Sequence, residues 1–137
     1  MIPSEVLADS SVIIDLTDPA AEHHVWSRET LRLIRRQSLL FYNQIVAAEV
    51  GVALTFLDQQ RSPLLLRRDL PWAAAAPAGA AHVAYRERGG AREAVLSDYL
   101  IGAHGAVEGL GLLTRDPRRV RTAFPAVRLI TPQSDPL

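Results

Sequence analysis

Cysteine is absent from this 137-residue chain, which excludes disulfides, Cys-ligated zinc and thiol catalysis. Lysine is absent too, because all fifteen basic residues are Arg. A Gly-rich phosphate loop needs a Lys on the terminal phosphates, so that nucleotide-binding class is excluded. Receiver domains also gather acids at strand ends, but they require a Lys as well. Haloacid-dehalogenase phosphatases require Asp-x-Asp after the first strand, where this chain has Asp9-Ser10-Ser11. Formal net charge is zero, so bulk charge gives no argument for nucleic-acid binding. Aromatic residues make up 6%, too few and too scattered for a base-stacking platform. No run approaches the roughly 20 apolar residues of a membrane span. The opening Met-Ile-Pro-Ser-Glu lacks a basic segment followed by an apolar one, so no secretory signal is expected.

What is present fits one α/β domain. Hydrophobic content is 48%, and a chain of this length buries roughly two-thirds of its unfolded surface. The informative stretch is residues 98–116. Asp98 stands at the head of a helical run, Gly109 to Gly111 break it, and a short apolar strand follows. Thr114-Arg115-Asp116 then places a hydroxyl and a second carboxylate just past that strand. In an open parallel sheet the carboxyl ends of strands line the ligand crevice, and helix starts converge on the same edge. Two acids at such an edge suggest a divalent cation.

Earlier segments repeat the pattern. A first strand ends near Asp9, and a short helix follows over Ser10-Ser11-Val12-Ile13-Ile14-Asp15. Asp9 reads as an N-cap or, if Ser10 and Ser11 cap instead, as a metal ligand. Asp15 is expected in solvent or in a local cap. Asp18-Pro19 reads as a helix start, with the helix running to about Gln37 and burying Trp26, Leu33 and Ile34. Arg28, Arg32, Arg35 and Arg36 then face outward. His23-His24 are adjacent, a poor metal-ligand spacing on a helix.

Residues 38–42 read as the second strand, and Asn43 caps a helix from Gln44 to about Gln59 with apolar positions 46, 50, 53, 54 and 57. Glu49 lies beside that apolar stripe, either solvated or functional. Residues 61–72 read as helix and loop ended by Pro71. Residues 73–88 are Ala-rich and helical from Pro77, stopped by Gly89-Gly90. Arg86, Arg88 and Arg92 flank that turn, as phosphate contacts or as plain solvated surface. A basic turn over residues 117–121 and a last strand over 127–130 complete the chain.

Strands alternating with helices predict a three-layer α/β/α domain over residues 1–132 with a loose tail at 133–137. The central sheet is expected to be short and mostly parallel, with four or five strands. Four are placed near residues 6–9, 39–42, 111–114 and 127–130.

Four segments in this order, Asp9-Ser10-Ser11-Val12-Ile13-Ile14-Asp15, Asn43-Gln44-Ile45-Val46-Ala47-Ala48-Glu49, Asp98-Tyr99-Leu100-Ile101-Gly102-Ala103-His104 and Leu112-Leu113-Thr114-Arg115-Asp116-Pro117-Arg118-Arg119, resemble the PIN domain. Within it they look most like the VapC ribonuclease toxins of bacterial type II toxin–antitoxin modules. The resemblance spans nearly the whole chain. It implies metal-binding and catalytic acids at Asp9, Glu49, Asp98 and Asp116, with Thr114 as the accompanying hydroxyl. Ser97 departs from the pattern, where Pro often precedes the third acid, and Gly105 stands where Ala is more usual. The resemblance also implies a bacterial cytoplasmic setting, structured RNA such as tRNA or rRNA as substrate, a homodimer, and inhibition by a VapB-type antitoxin. Val50, Leu54, Phe56 and Trp72 would form the antitoxin groove, or else be ordinary core.

The chemistry follows from the residues themselves. Two carboxylates about 4 Å apart repel by roughly 4 kcal/mol at an effective dielectric near 20, so four need a cation. All-oxygen ligands favour Mg²⁺ or Mn²⁺ over zinc. The expected activity is phosphodiester hydrolysis, with Asp9, Asp98 and Asp116 on metal, Glu49 binding or orienting a coordinated water, and Thr114 positioning the acids. Arg86, Arg88, Arg92 and Arg115 are candidates for gripping the RNA backbone. The rivals are a PIN-like module that binds RNA or protein without cutting, and a DNA-directed nuclease.

Overall fold

A computed structural model describes residues 2–51, 65–91 and 95–133. Its centre is β1 (Glu5–Ala8), in which Val6, Leu7 and Ala8 are fully buried. A short unbroken apolar run of this kind is what a central parallel strand requires, since both of its faces are covered. β1 pairs in parallel with β2 (Leu39–Tyr42) on one side and β4 (Gly111–Leu113) on the other. β3 (Leu66–Arg67) and β5 (Leu129–Ile130) add the two edges, giving the order β3-β2-β1-β4-β5 with every pairing parallel.

Among the described residues, three helices precede β3: α1 (Ser10–Thr17), α2 (His24–Gln37) and α3 (Gln44–Val50). After β3 come a 3-10 turn (Trp72–Ala74), α4 (Ala75–Glu87), α5 (Leu96–Glu108) and, beyond β4, α6 (Arg118–Ala123). The chain steps in one direction from β1 to β3 and in the other from β4 to β5. Right-handed crossovers therefore place the two helix groups on opposite faces, as a three-layer α/β/α domain. Val12, Ile13, Leu31, Ile34 and Val46 join the sheet residues in the main core. A second core of Ala74, Ala78, Val95, Tyr99 and Ala103 forms where α4 packs on α5. No helix among the described residues is long and apolar enough to cross a membrane.

The structure corrects several local expectations. The Asp18-Pro19 signal does not start a helix. Asp18 instead closes α1, its N–H donating to the Asp15 carbonyl, while its carboxylate and carbonyl accept from Ala20 and Ala21, each at 3.0 Å. The capping side chain thus serves a turn, and α2 begins at His24. On α2, Leu31 is buried and Leu33 is 37% exposed, so the buried stripe runs through Ser27, Thr30, Leu31 and Ile34. Residues 66–67, expected in a helix and loop, are the edge strand β3. α4 starts at Ala75 and not at Pro77, which the first turn tolerates because its missing N–H has no partner there. The expected continuation of α3 past Gly51, with Leu54 and Phe56, lies outside the described residues. Val50 is core, whereas Trp72 is 94% exposed.

Candidate active site

β1 and β4 are adjacent but lead to opposite sides of the sheet, and their carboxyl ends open a crevice at this switch point. Asp9 follows β1 directly and Thr114 follows β4 directly. The backbone ties the two loops together, with Asp9 N donating to Leu113 O at 2.9 Å. The Thr114 hydroxyl donates to Asp9 Oδ2 at 2.8 Å and accepts the Asp116 N–H at 3.1 Å. One hydroxyl therefore bridges two acids that lie more than a hundred positions apart.

Asp9 is itself the N-cap of α1. Its Oδ1 accepts from Ser10 N and its Oδ2 from the Ser11 hydroxyl, both at 2.9 Å. The serines do not relieve it of that duty. Ser10 reaches across to Glu49 Oε1 at 3.0 Å, and Ser97 holds Glu49 Oε2 at 3.1 Å. Glu49, presented by α3, is thus connected to the starts of α1 and α5, beside Asp9 and Asp98. Asn43 caps α3 as expected, accepting the Val46 N–H at 3.0 Å.

Asp98 lies in the first turn of α5, and with Asp9, Thr114, Asp116 and Arg119 it lines one small cleft. Burial pushes its carboxyl up to about 6, and the charges of Asp9, Glu49 and Asp116 push the same way while Arg119 opposes them. Arg119 Nη1 donates to Asp98 Oδ2 at 3.1 Å, and Arg118 Nε to Asp116 Oδ1 at 3.2 Å. Burial works against ionisation of Asp116, but the bond and charge of Arg118, with Arg119 behind it, hold its carboxyl below the usual range.

The donor set suits a hard divalent cation: carboxylates and a hydroxyl, with no nitrogen or sulfur ligand in the cleft. The space between them, about 10 Å³, admits one water-sized body. Among the described residues, however, no three His, Asp or Glu side chains stand close enough together to hold an ion as they are. Each carboxylate is turned toward a protein donor of its own. A cation would be held after these side chains turn inward, by residues whose backbone positions already converge.

The other sequence candidates fall elsewhere. Arg115 pairs with Asp15, its Nε 2.8 Å from Oδ2. Asp15, expected in solvent or a cap, is buried. Arg86 and Arg88 lie exposed at the end of α4, with the Arg88 guanidinium 5.5 Å from the Tyr85 ring centre. Arg92 lies outside the described residues. Sequence reasoning missed Ser10, Ser97 and Arg119 as contacts of the acids. The available signal was adjacency: Ser10 follows Asp9, Ser97 precedes Asp98, and Arg119 is three positions past Asp116.

A five-stranded parallel sheet flanked by helices, with acids converging at its carboxyl edge, defines a PIN-like fold. No protein-family model matches the chain, and no characterised protein matches its sequence. Solved structures do match. The VapBC2 complex of Rickettsia felis, bound to a DNA fragment from its promoter, superposes with a TM-score of 0.69 at 17% identity, covering 96% of this chain and 98% of that one. DNA-bound VapBC from Salmonella typhimurium gives 0.63 at 18% identity with the same coverage. A toxin–antitoxin complex from Klebsiella pneumoniae gives 0.59 at 21%, covering 96% of this chain and all of that one. The likeness is one of fold over nearly the full length.

Proposed function

We propose that this chain is the toxin of a toxin–antitoxin pair: a Mg²⁺- or Mn²⁺-dependent endoribonuclease that cuts structured RNA such as tRNA or rRNA until a VapB-type antitoxin binds it. The observation that carries this reading is the convergence of Asp9, Asp98, Thr114 and Asp116, from distant parts of the chain, on one small cleft. The fold shared with toxin–antitoxin complexes supports the same reading.

In this reading Asp9, Asp98 and Asp116 hold the ion, and Thr114 keeps Asp9 and the Asp116 backbone in register. Glu49, exposed and steadied by Ser10 and Ser97, orients the attacking water. When bound, the ion supplies charge compensation at a phosphoryl oxygen and a water acidic enough to ionise near neutral pH. Arg86, Arg88 and Arg92 contact the RNA backbone. Arg115 takes part only by leaving Asp15. Trp72 offers an apolar anchor for the antitoxin, and the working unit is a homodimer.

The test is cleavage of RNA and of DNA in Mg²⁺ or Mn²⁺ by the wild type, Asp9→Asn and Asp98→Asn. RNA cleavage lost in both variants and on chelation is the expected result. A wild type no more active than the variants would mean a binding module, and cleavage of DNA alone would mean a DNA-directed nuclease.

A further inference from the structure

Asp98 and Arg119 together raise a question that the metal-dependent reading leaves open. Arg119 enters the cleft from the first turn of α6, and its side chain is only 16% exposed. Its Nη1 is bonded to Asp98 Oδ2, and among the described residues its buried Nε has no hydrogen-bond partner. The guanidinium carbon stands 6.0 Å from the Tyr85 ring centre. A buried guanidinium is normally saturated with acceptors, because an unpaired N–H in a dry site is costly. Among the described residues this one is held at a single point of bonding, against the carboxylate that the other three acids repel.

We infer that Arg119 is the resident counter-cation of the acid cleft, occupying Asp98 in competition with the divalent ion and so setting how tightly that ion binds. The inference rests on the metal-dependent reading of the site. Asp98 and Arg119 both line the cleft, which has room for one small body, and the Arg119 bond already engages Asp98 Oδ2. Two cations in that space repel, so whatever favours the guanidinium there disfavours the ion. Arg118 makes the corresponding bond to Asp116, but its side chain is 79% exposed, where water screens it. Arg119 is therefore the competitor that matters. It is a positioning residue, acting through Asp98.

The competition predicts an effect opposite to that of damaging the site. Mn²⁺ affinity of the purified chain is measured calorimetrically for the wild type, Arg119→Gln and Arg119→Lys. Arg119→Gln should bind Mn²⁺ about tenfold more tightly, as expected for removing one nearby like charge. Arg119→Lys, which keeps the charge, should stay within about twofold of the wild type. Unchanged or weaker binding by Arg119→Gln overturns the inference, as does equal tightening by Arg119→Lys, which would make the effect one of shape. Should Arg119→Gln fail to fold, the wild type answers alone. Saturating Mg²⁺ must shift the Arg119 Nε–H resonance and speed its exchange, and an unmoved resonance overturns the inference. A wild type that binds no Mn²⁺ at all would instead sink the metal-dependent reading, and this inference with it.

Discussion

Asn43 Nδ2 donates to His104 Nδ1 at 2.9 Å, while Asn43 Oδ1 accepts the Val46 N–H at 3.0 Å. The imidazole proton then lies on Nε2, which donates to Glu108 Oε1. His104 is fully buried, so it fixes which way the Asn43 amide faces and thereby seats the start of α3, the helix that presents Glu49. Asn43→Ala removes a cap worth about 1 kcal/mol and leaves His104 Nδ1 unpaired at a further 1–2 kcal/mol or so. A loss of about 2–3 kcal/mol in urea unfolding is expected. A loss below about 0.5 kcal/mol would show that His104 does not depend on this amide.

Two groups make stability depend on pH in opposite senses. Burial holds His104 below its ordinary 6.5 despite the opposing bond from Glu108. Its contribution is full above 6.5 and fades as pH falls from there through the lowered value. Asp98, raised from 3.8 to about 6, contributes fully below 3.8 and loses that contribution as pH rises through about 6. In chelator, raising pH from about 4 to about 7 should therefore shift the stability gap between the wild type and Asp98→Asn toward Asn. The shift is on the order of 1 kcal/mol, given that Asp98 is one-third exposed. Urea unfolding of both proteins across that range checks it, and a parallel pair of curves would contradict it.

Two glycines on α5 should respond oppositely to Ala. At Gly105 a Cβ would meet only ordinary contacts, Leu110 O at 3.5 Å and Val127 Cγ1 at 3.6 Å. Gly105→Ala should stabilise by up to about 1 kcal/mol. At Gly102 a Cβ would sit 2.9 Å from Phe124 Cδ2 and 3.1 Å from Val120 Cγ2. Overpacking of about 1–3 kcal/mol then outweighs the helical gain, and Gly102→Ala should destabilise. Thermal unfolding of the two variants, three positions apart, reads the sign of each directly.

Arg115 and Arg86 separate a structural arginine from a surface one. Arg115→Ala strands Asp15, whose side chain is 6% exposed, and should cost about 2 kcal/mol. Arg86→Ala should stay within about 0.5 kcal/mol in stability while weakening RNA association. If Arg115→Ala proves as mild as Arg86→Ala, the Asp15 pair contributes nothing to the fold.

The elements that place the acids were readable because each is marked locally. Val6-Leu7-Ala8 before Asp9, the glycine break at Gly109, and Asn43 ahead of an apolar stripe are decisions made within a few residues. Gly109, at φ 66°, ends α5 in a conformation that a side chain would resist, and β4 starts two residues later. What escaped reading was decided across space. Leu66-Arg67 is too short to show a period and is a strand only because Phe41 and Tyr42 lie beside it. Asp18-Pro19 carries a true capping signal, which a turn used before a helix could. The burial of Asp15 and the bond from Arg119 to Asp98 depend on partners 100 and 21 positions away, respectively, which no local pattern announces.

The middle position of β1 has one further consequence. Its right-hand neighbour, β4, is synthesised more than a hundred residues after it, and Thr114 cannot reach Asp9 until then. A growing polypeptide therefore carries Asp9 early but lacks that hydroxyl partner through most of translation. The crevice is completed only when Thr114 and Asp116, within the last quarter of the chain, have emerged, so a product truncated before them lacks two of the side chains that line it.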